Sequence, residues 1–288
     1  MIEMLQFDFM WRALAAALLV GLAAPAVGVF VVQRRLALLG DGIGHVALTG
    51  VALGFLTGTA PVLTAVVVAV LGAVVIELVR ARGRTTGDVA LALLFYGGIA
   101  GGVLLIGLAP GGSTSTLTSY LFGSISSVTS ADVWVIAILT VFVLGVVAVF
   151  GRELFVLCQD EEVARVNGLP VRFLSLLIAV TAALTVVIAM RVVGLLLVSV
   201  LMVVPVATGQ QVTRGFTATM LLAMLRGVVS TVGGLTTAFY AGVAPGAAIV
   251  LLALAGFCVA LVAGRFVRRG RVAGMERRGM AATVEAGP

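Results

Sequence analysis

Two side chains in the stretch LALLGDGIGHVAL, residues 36–48, are equipped for chemistry: Asp41 and His45, the only histidine of the chain. They stand four residues apart, so on a helix they share one face, about one turn from each other, and can hold one object together. An imidazole with a carboxylate suits a divalent transition metal such as zinc, manganese or iron(II), and it also suits a proton relay. The plainer alternative is that the two groups satisfy each other and nearby backbone across a helix contact. Only a neutral imidazole offers a lone pair to a metal, so the metal alternative predicts weaker binding in mild acid. Two ligands are too few for a closed site; a twofold dimer would supply four.

The elements that must position these residues are membrane helices. The chain has 288 residues, 61% of them hydrophobic and only 10% charged, with a mean hydropathy of +1.25, which excludes an ordinary soluble domain. The fold class is an all-α polytopic membrane protein. At about 20 apolar residues per crossing, the length accommodates eight or nine transmembrane helices and no sizeable soluble domain. Apolar blocks predict spans over 11–33, 41–58, 61–79, 88–108, 131–150, 173–190, 192–212, 217–241 and 246–264. The first follows an acidic start without a clean cleavage site and reads as a retained span. The 41–58 block is short and rich in glycine, the pattern of the broken helices that transporters place around a site. Counted from Arg34 and Arg35 at its edge, His45 falls about 15 Å along, near the middle of a core about 30 Å thick.

Arginine sets the orientation. Arg34 and Arg35, the loop with Arg80, Arg82 and Arg84, the 151–172 connection, Arg214 and the tail from Arg265 share one side if nine spans alternate, and that side is the cytoplasm. The N-terminus, with Glu3 and Asp8, and the loop at 109–119 then lie outside. Residues 1–267 form one transmembrane domain; 268–288 mix charge with glycine and alanine and read as a disordered cytoplasmic tail that touches anionic lipid. All 18 basic residues are arginine, so a Walker A phosphate loop, which needs lysine, is excluded. The high isoelectric point reflects these helix-end arginines and not a nucleic-acid surface. Cys158 and Cys258 make no CxxC pair and read as structural thiols.

The polar connection at 151–172 is the second informative stretch. Asp160, Glu161 and Glu162 favour a helix start, Gly168 suits its end and Pro170 prevents continuation, which predicts a two-turn helix. Asp88 and Asp132 begin spans and read as caps. Glu77, three before Arg80, predicts an interfacial ion pair. Arg226 falls inside a span, where it either lines a path or meets an acid.

Four stretches in order, RRLALLGDGIGHVALTGVALGF, LFGSISSVTSADVW, DEEVARVNGLPVRF and RVVGLLLVSVLMVVPVATG, with a later AFYAGVAPGAAIVLL, resemble the permease subunits of bacterial ABC importers for zinc, manganese and iron(II). The resemblance covers about 30–264. It implies a homodimeric permease of the plasma membrane that is not itself an enzyme, with no permanently bound cofactor. It further implies two copies of a separate ABC ATPase and an external metal-binding protein that delivers the ion. Asp41 and His45 match the family's metal path, and the segment with Asp160, Glu161, Glu162, Ala164 and Gly168 matches the helix that couples to the ATPase. The chain departs from the family in Gly44-His45-Val46, in Thr49-Gly50 and at Phe239-Tyr240. Alternatives are a diverged permease of the same build for a non-metal cargo and an ion-driven secondary transporter. An intramembrane metalloenzyme would need more than one histidine and an HExxH-type motif.

Overall fold

The computed structural model describes residues 3–81, 87–109, 119–124 and 128–262. The predicted tail at 268–288, Arg82, Arg84, Arg265 and most of the 109–119 loop lie outside the described residues.

Among the described residues every regular element is helical. After a short 3-10 turn at Glu3–Gln6 come α1 (Asp8–Gln33), α2 (Leu39–Thr57), α3 (Pro61–Ala81), α4 (Gly87–Leu108) and α5 (Ser130–Gln159). Then follow α6 (Glu161–Val166), α7 (Val171–Met190), a 3-10 turn at Leu195–Leu197, α8 (Val198–Val212), α9 (Phe216–Ala241) and α10 (Pro245–Val262). All except α6 are long and apolar enough to cross a membrane, which gives nine candidate spans among the described residues. α1, α2 and α7 form the buried centre; α3 and α4 are largely exposed to the surroundings. α2 packs mainly on α4 and α3, while α1 packs on α9, α5, α8 and α7.

Two features differ from the sequence expectation. α5 runs to Gln159, so the first nine residues of the 151–172 connection are helix, because Leu154 and Leu157 continue its buried stripe past Arg152 and Glu153. α2 is one unbroken helix of 19 residues. A break at 191–194 separates α7 from α8, where the sequence also divides two spans. At that break Gly194 has φ +87, and a Cβ on it would lie 2.4 Å from the Leu121 carbonyl oxygen. The glycines of α2 serve close packing instead: a Cβ on Gly50 would fall 2.6 Å from Ala65 Cα, and one on Gly54 2.6 Å from Pro61 Cα, both in α3.

The turn that delivers the chain into α2 is a Schellman end to α1. The Leu36 N–H donates to Val31 O at 2.9 Å and the Arg35 N–H to Val32 O at 3.0 Å, which places Arg35 at the left-handed position with φ +59. A side chain in that region costs about 1–2 kcal/mol.

Candidate metal site

α2 begins at Leu39, because residues 34–38 are spent on the turn. His45 therefore lies six residues into the helix, about 9 Å at about 1.5 Å per residue, closer to the arginine end than the sequence count suggests. Its ring is buried. The ring packs edge-on against Phe95 of α4, with centroids 4.4 Å apart at 78°. α4 reaches it because position 98 is glycine: a Cβ there would stand 2.6 Å from the His45 carbonyl carbon. One turn on, Thr49 Oγ1 donates to the Gly98 carbonyl at 2.9 Å and pins the two helices together. His45 Nδ1 is buried with no hydrogen-bond partner. An orphaned ring nitrogen in a native interior calls for a ligand or a water.

Asp41 lies one turn toward the arginine end and is close enough to act electrostatically on the His45 ring. Its side chain is half-buried and makes no hydrogen bond or ion pair among the described residues. It faces a cleft of about 350 Å³ between α2 and α4, lined by Leu38, Gly42, Leu91, Ala92, Phe95 and Tyr96. The structure thus brings Asp41, His45 and the α4 aromatics together. The mutual satisfaction of Asp41 and His45 weighed from the sequence does not occur. Among the described residues no cluster of three or more His, Cys, Asp or Glu forms, so one copy offers this pair alone.

Phe95 and Tyr96 are not singled out by the sequence, because an aromatic pair in an apolar span carries no signal of its own. Ser199 of α8 is not singled out either. Its buried hydroxyl has no partner and lies 2.7 Å from where a Gly40 Cβ would be.

The other predicted group, Asp160, Glu161, Glu162, Ala164 and Gly168, forms the compact α6 helix. Asp160 caps it, accepting from the Glu162 N–H at 2.8 Å and the Val163 N–H at 3.2 Å. Gly168, with φ +77, closes it, and the Leu169 N–H donates to the Ala164 carbonyl at 3.0 Å. Ala164 is fully buried beneath the helix, while Val166 projects outward, 87% exposed. Glu161 takes Arg165 of its own helix at 3.2 Å and Arg34 of the α1 end at 3.3 Å. Burial, reinforced by Arg80, pushes the Arg34 guanidinium below its ordinary range. The predicted Glu77–Arg80 pair forms at 3.2 Å.

At the opposite end Asp132 does more than start a helix. Thr129 is the cap, Asp132 closes the capping box, and its carboxylate pairs with Arg191. Arg191 also donates to Tyr120 Oη at 3.0 Å and lies 5.3 Å from that ring's centroid, while burial pushes the Tyr120 phenol up. Counting spans places Asp132 and Arg191 at the same end, a signal that could have paired them. Arg226 neither lines the Asp41 cleft nor meets an acid among the described residues; it lines a separate small cavity with Pro205, Thr208, Ser230 and Gly256.

Residues 6–264 match the ABC 3 transport family. The chain is 32% identical over 259 residues to the manganese transport system membrane protein MntC of Listeria innocua, covering 90% of this chain and 92% of that one. It is 31% identical over 253 residues to the manganese import system permease protein ScaB of Streptococcus gordonii, covering 88% and 90%. Its structure is similar to that of PsaBC from Streptococcus pneumoniae in complex with Fab, with a TM-score of 0.82 and 32% identity over 90% of this chain and 93% of that chain. With nine apolar helices in the expected places and a family match over nearly its whole length, the chain belongs to the ABC 3 transport family and is a multi-pass ABC-transporter permease.

Proposed function

We propose that the chain is the membrane permease of an ATP-driven importer of a divalent transition metal, with manganese as the first candidate cargo. The relatives named for manganese transport support that choice over zinc or iron(II). The observation that carries the metal reading is that Asp41, without a protein partner among the described residues, lines a cleft whose wall residue Phe95 packs on His45, one turn away with an orphaned Nδ1. A carboxylate oxygen suits manganese and an imidazole nitrogen suits iron(II) and zinc, so the donor pair is compatible with each of the three. Two donors bind loosely, which favours release, and a second copy related by a twofold axis would double them to a selective set. The metal is cargo here, and the chain makes and breaks no covalent bond.

ATP is hydrolysed on a separate subunit. α6 is its docking element: short, capped at both ends, anchored by buried Ala164 and presenting Val166 outward for an apolar groove. The arginine end faces the cytoplasm and the N-terminus lies outside, where an external binding protein delivers the ion. Membership in an ABC family sets aside the ion-driven carrier.

The test is uptake of radioactive manganese by cells that express the chain with its ATPase. Asp41→Ala and His45→Ala are each expected to reduce accumulation to background while the ATPase still co-purifies. Wild-type accumulation in both variants would sink the proposed site.

A further inference from the structure

One side chain ties the coupling helix to the end of α1, five residues before the helix that carries Asp41 begins. α6 packs on the end of α5 and the start of α7, and the residues it rests against do not include α2 as a principal neighbour. Arg34, at the α1 cap, links α6 to α7 and leads through the 34–38 turn into α2. Its guanidinium donates through Nη1 to Ser175 Oγ of α7 at 2.7 Å and through Nη2 to Glu161 Oε2 of α6 at 3.3 Å. The Arg34 side chain is only 6% exposed, whereas its partner Glu161 is 46% exposed. The contact is therefore anchored from inside the bundle, and Glu161 is the end free to move.

The backbone of Arg34 is the cap of α1, and the next residue, Arg35, holds the left-handed conformation that glycine normally takes. Leu36 to Leu38 follow as a turn closed by the Leu39 N–H to Leu36 O bond at 2.8 Å, and Asp41 lies in the first turn of α2. Any tilt of α6 that displaces Glu161 pulls on a buried, two-pronged guanidinium whose own peptide forms the joint into α2. Residues held in sparsely populated backbone regions cluster at active sites, clamps and switch regions. Arginine suits the role because its planar fork can hold two partners in fixed geometry, which a lysine point charge cannot.

We infer that Arg34 is a positioning residue that transmits movement of the α6 helix to the α1–α2 turn and so to the Asp41 end of the metal cleft. The inference rests on the proposed coupling role of α6 but not on the identity of the cargo.

The test uses the permease–ATPase complex in lipid nanodiscs, with hydrogen exchange followed at residues 36–42 and 161–166 before and after trapping with ATP and vanadate. In the wild type both segments are expected to change protection. In Arg34→Gln the 161–166 response stays and the 36–42 response is lost. Arg34→Lys, which keeps the charge but not the fork, restores part of it. With the same complex in sealed proteoliposomes, the ATP hydrolysed per manganese imported is expected to rise severalfold in Arg34→Gln. A 36–42 response in Arg34→Gln equal to wild type would overturn the inference, as would loss of the ATPase from both variants, which would make Arg34 a folding residue only. If instead the 36–42 responses behave as expected but no metal is transported by the wild type, the joint stands and the metal reading fails.

Discussion

Two carboxylates of this chain occupy opposite physical situations. Asp132 is held by the Thr129 capping box and by Arg191, with both partners of the ion pair largely buried. Asp41 is half-buried with no partner at all among the described residues. A partnered carboxylate serves stability, and an unpartnered one at this level of a membrane bundle costs stability and marks function. Asp41→Asn is therefore expected to leave the thermal unfolding midpoint of the purified protein unchanged or raised while it abolishes manganese uptake. A lowered midpoint would show that Asp41 is structural. Asp132→Asn removes the negative charge that faces Arg191, which keeps its bond to Tyr120, and is expected to cost about 1.5–3 kcal/mol, whereas the paired replacement Asp132→Asn with Arg191→Met recovers part of the loss. Additive losses in thermal unfolding of the single and double variants would deny the pair its role. Asp41 and His45 were legible because helical spacing and isolation in an apolar stretch are sequence properties. The Arg191 partnership was legible only in part: counting spans puts both residues at one end, but their contact across 59 residues depends on how α7 packs on α5.

At the level of elements, composition and periodicity located the nine spans, and cap chemistry located α6, since Asp160 and Gly168 act on residues close to them in sequence. What the sequence misread was the role of the α2 glycines. Glycine frequency marked α2 as broken, yet Gly50 and Gly54 face α3 across tight contacts; the break between the spans at 173–190 and 192–212 was foreseen, while the approach of Gly194 to the 119–124 segment that shapes it has no local signature. The α2–α4 contact gives a direct check. Gly98→Ala would place its Cβ against the His45 backbone, so α4 must move away and carry Phe95 with it. The expected result is a lower thermal midpoint together with weaker manganese binding by calorimetry; binding unchanged from wild type would show that Phe95 and the cleft do not shape the site. The turn before α2 behaves in the opposite sense. Arg35→Gly removes the left-handed penalty and is expected to hold or raise the midpoint, by up to about 1 kcal/mol after the added freedom of the unfolded chain. A marked loss of stability would mean that the Arg35 side chain contributes more than its backbone costs.

For the whole molecule the question is how one aspartate and one histidine per chain select a metal. The described residues of one copy hold no third ligand, the Asp41 cleft opens along α4, and α4 leaves Leu93 and Tyr96 exposed beside it. A twofold assembly that brings two clefts to one path satisfies the ligand count without any new residue, and its symmetry makes a quantitative demand. If the metal needs donors from both copies, one defective copy disables the pair. Co-expression of wild type with Asp41→Asn at equal levels then forms fully wild-type pairs in about a quarter of assemblies, since random pairing squares the fraction of intact chains. Uptake is expected to fall to about that quarter. If each copy carries a complete path of its own, uptake falls only to half, because every wild-type chain still works whatever its neighbour. Measuring uptake across several mixing ratios separates a squared from a linear dependence, and a linear one would remove the shared site while leaving Asp41 and His45 as a path within each chain.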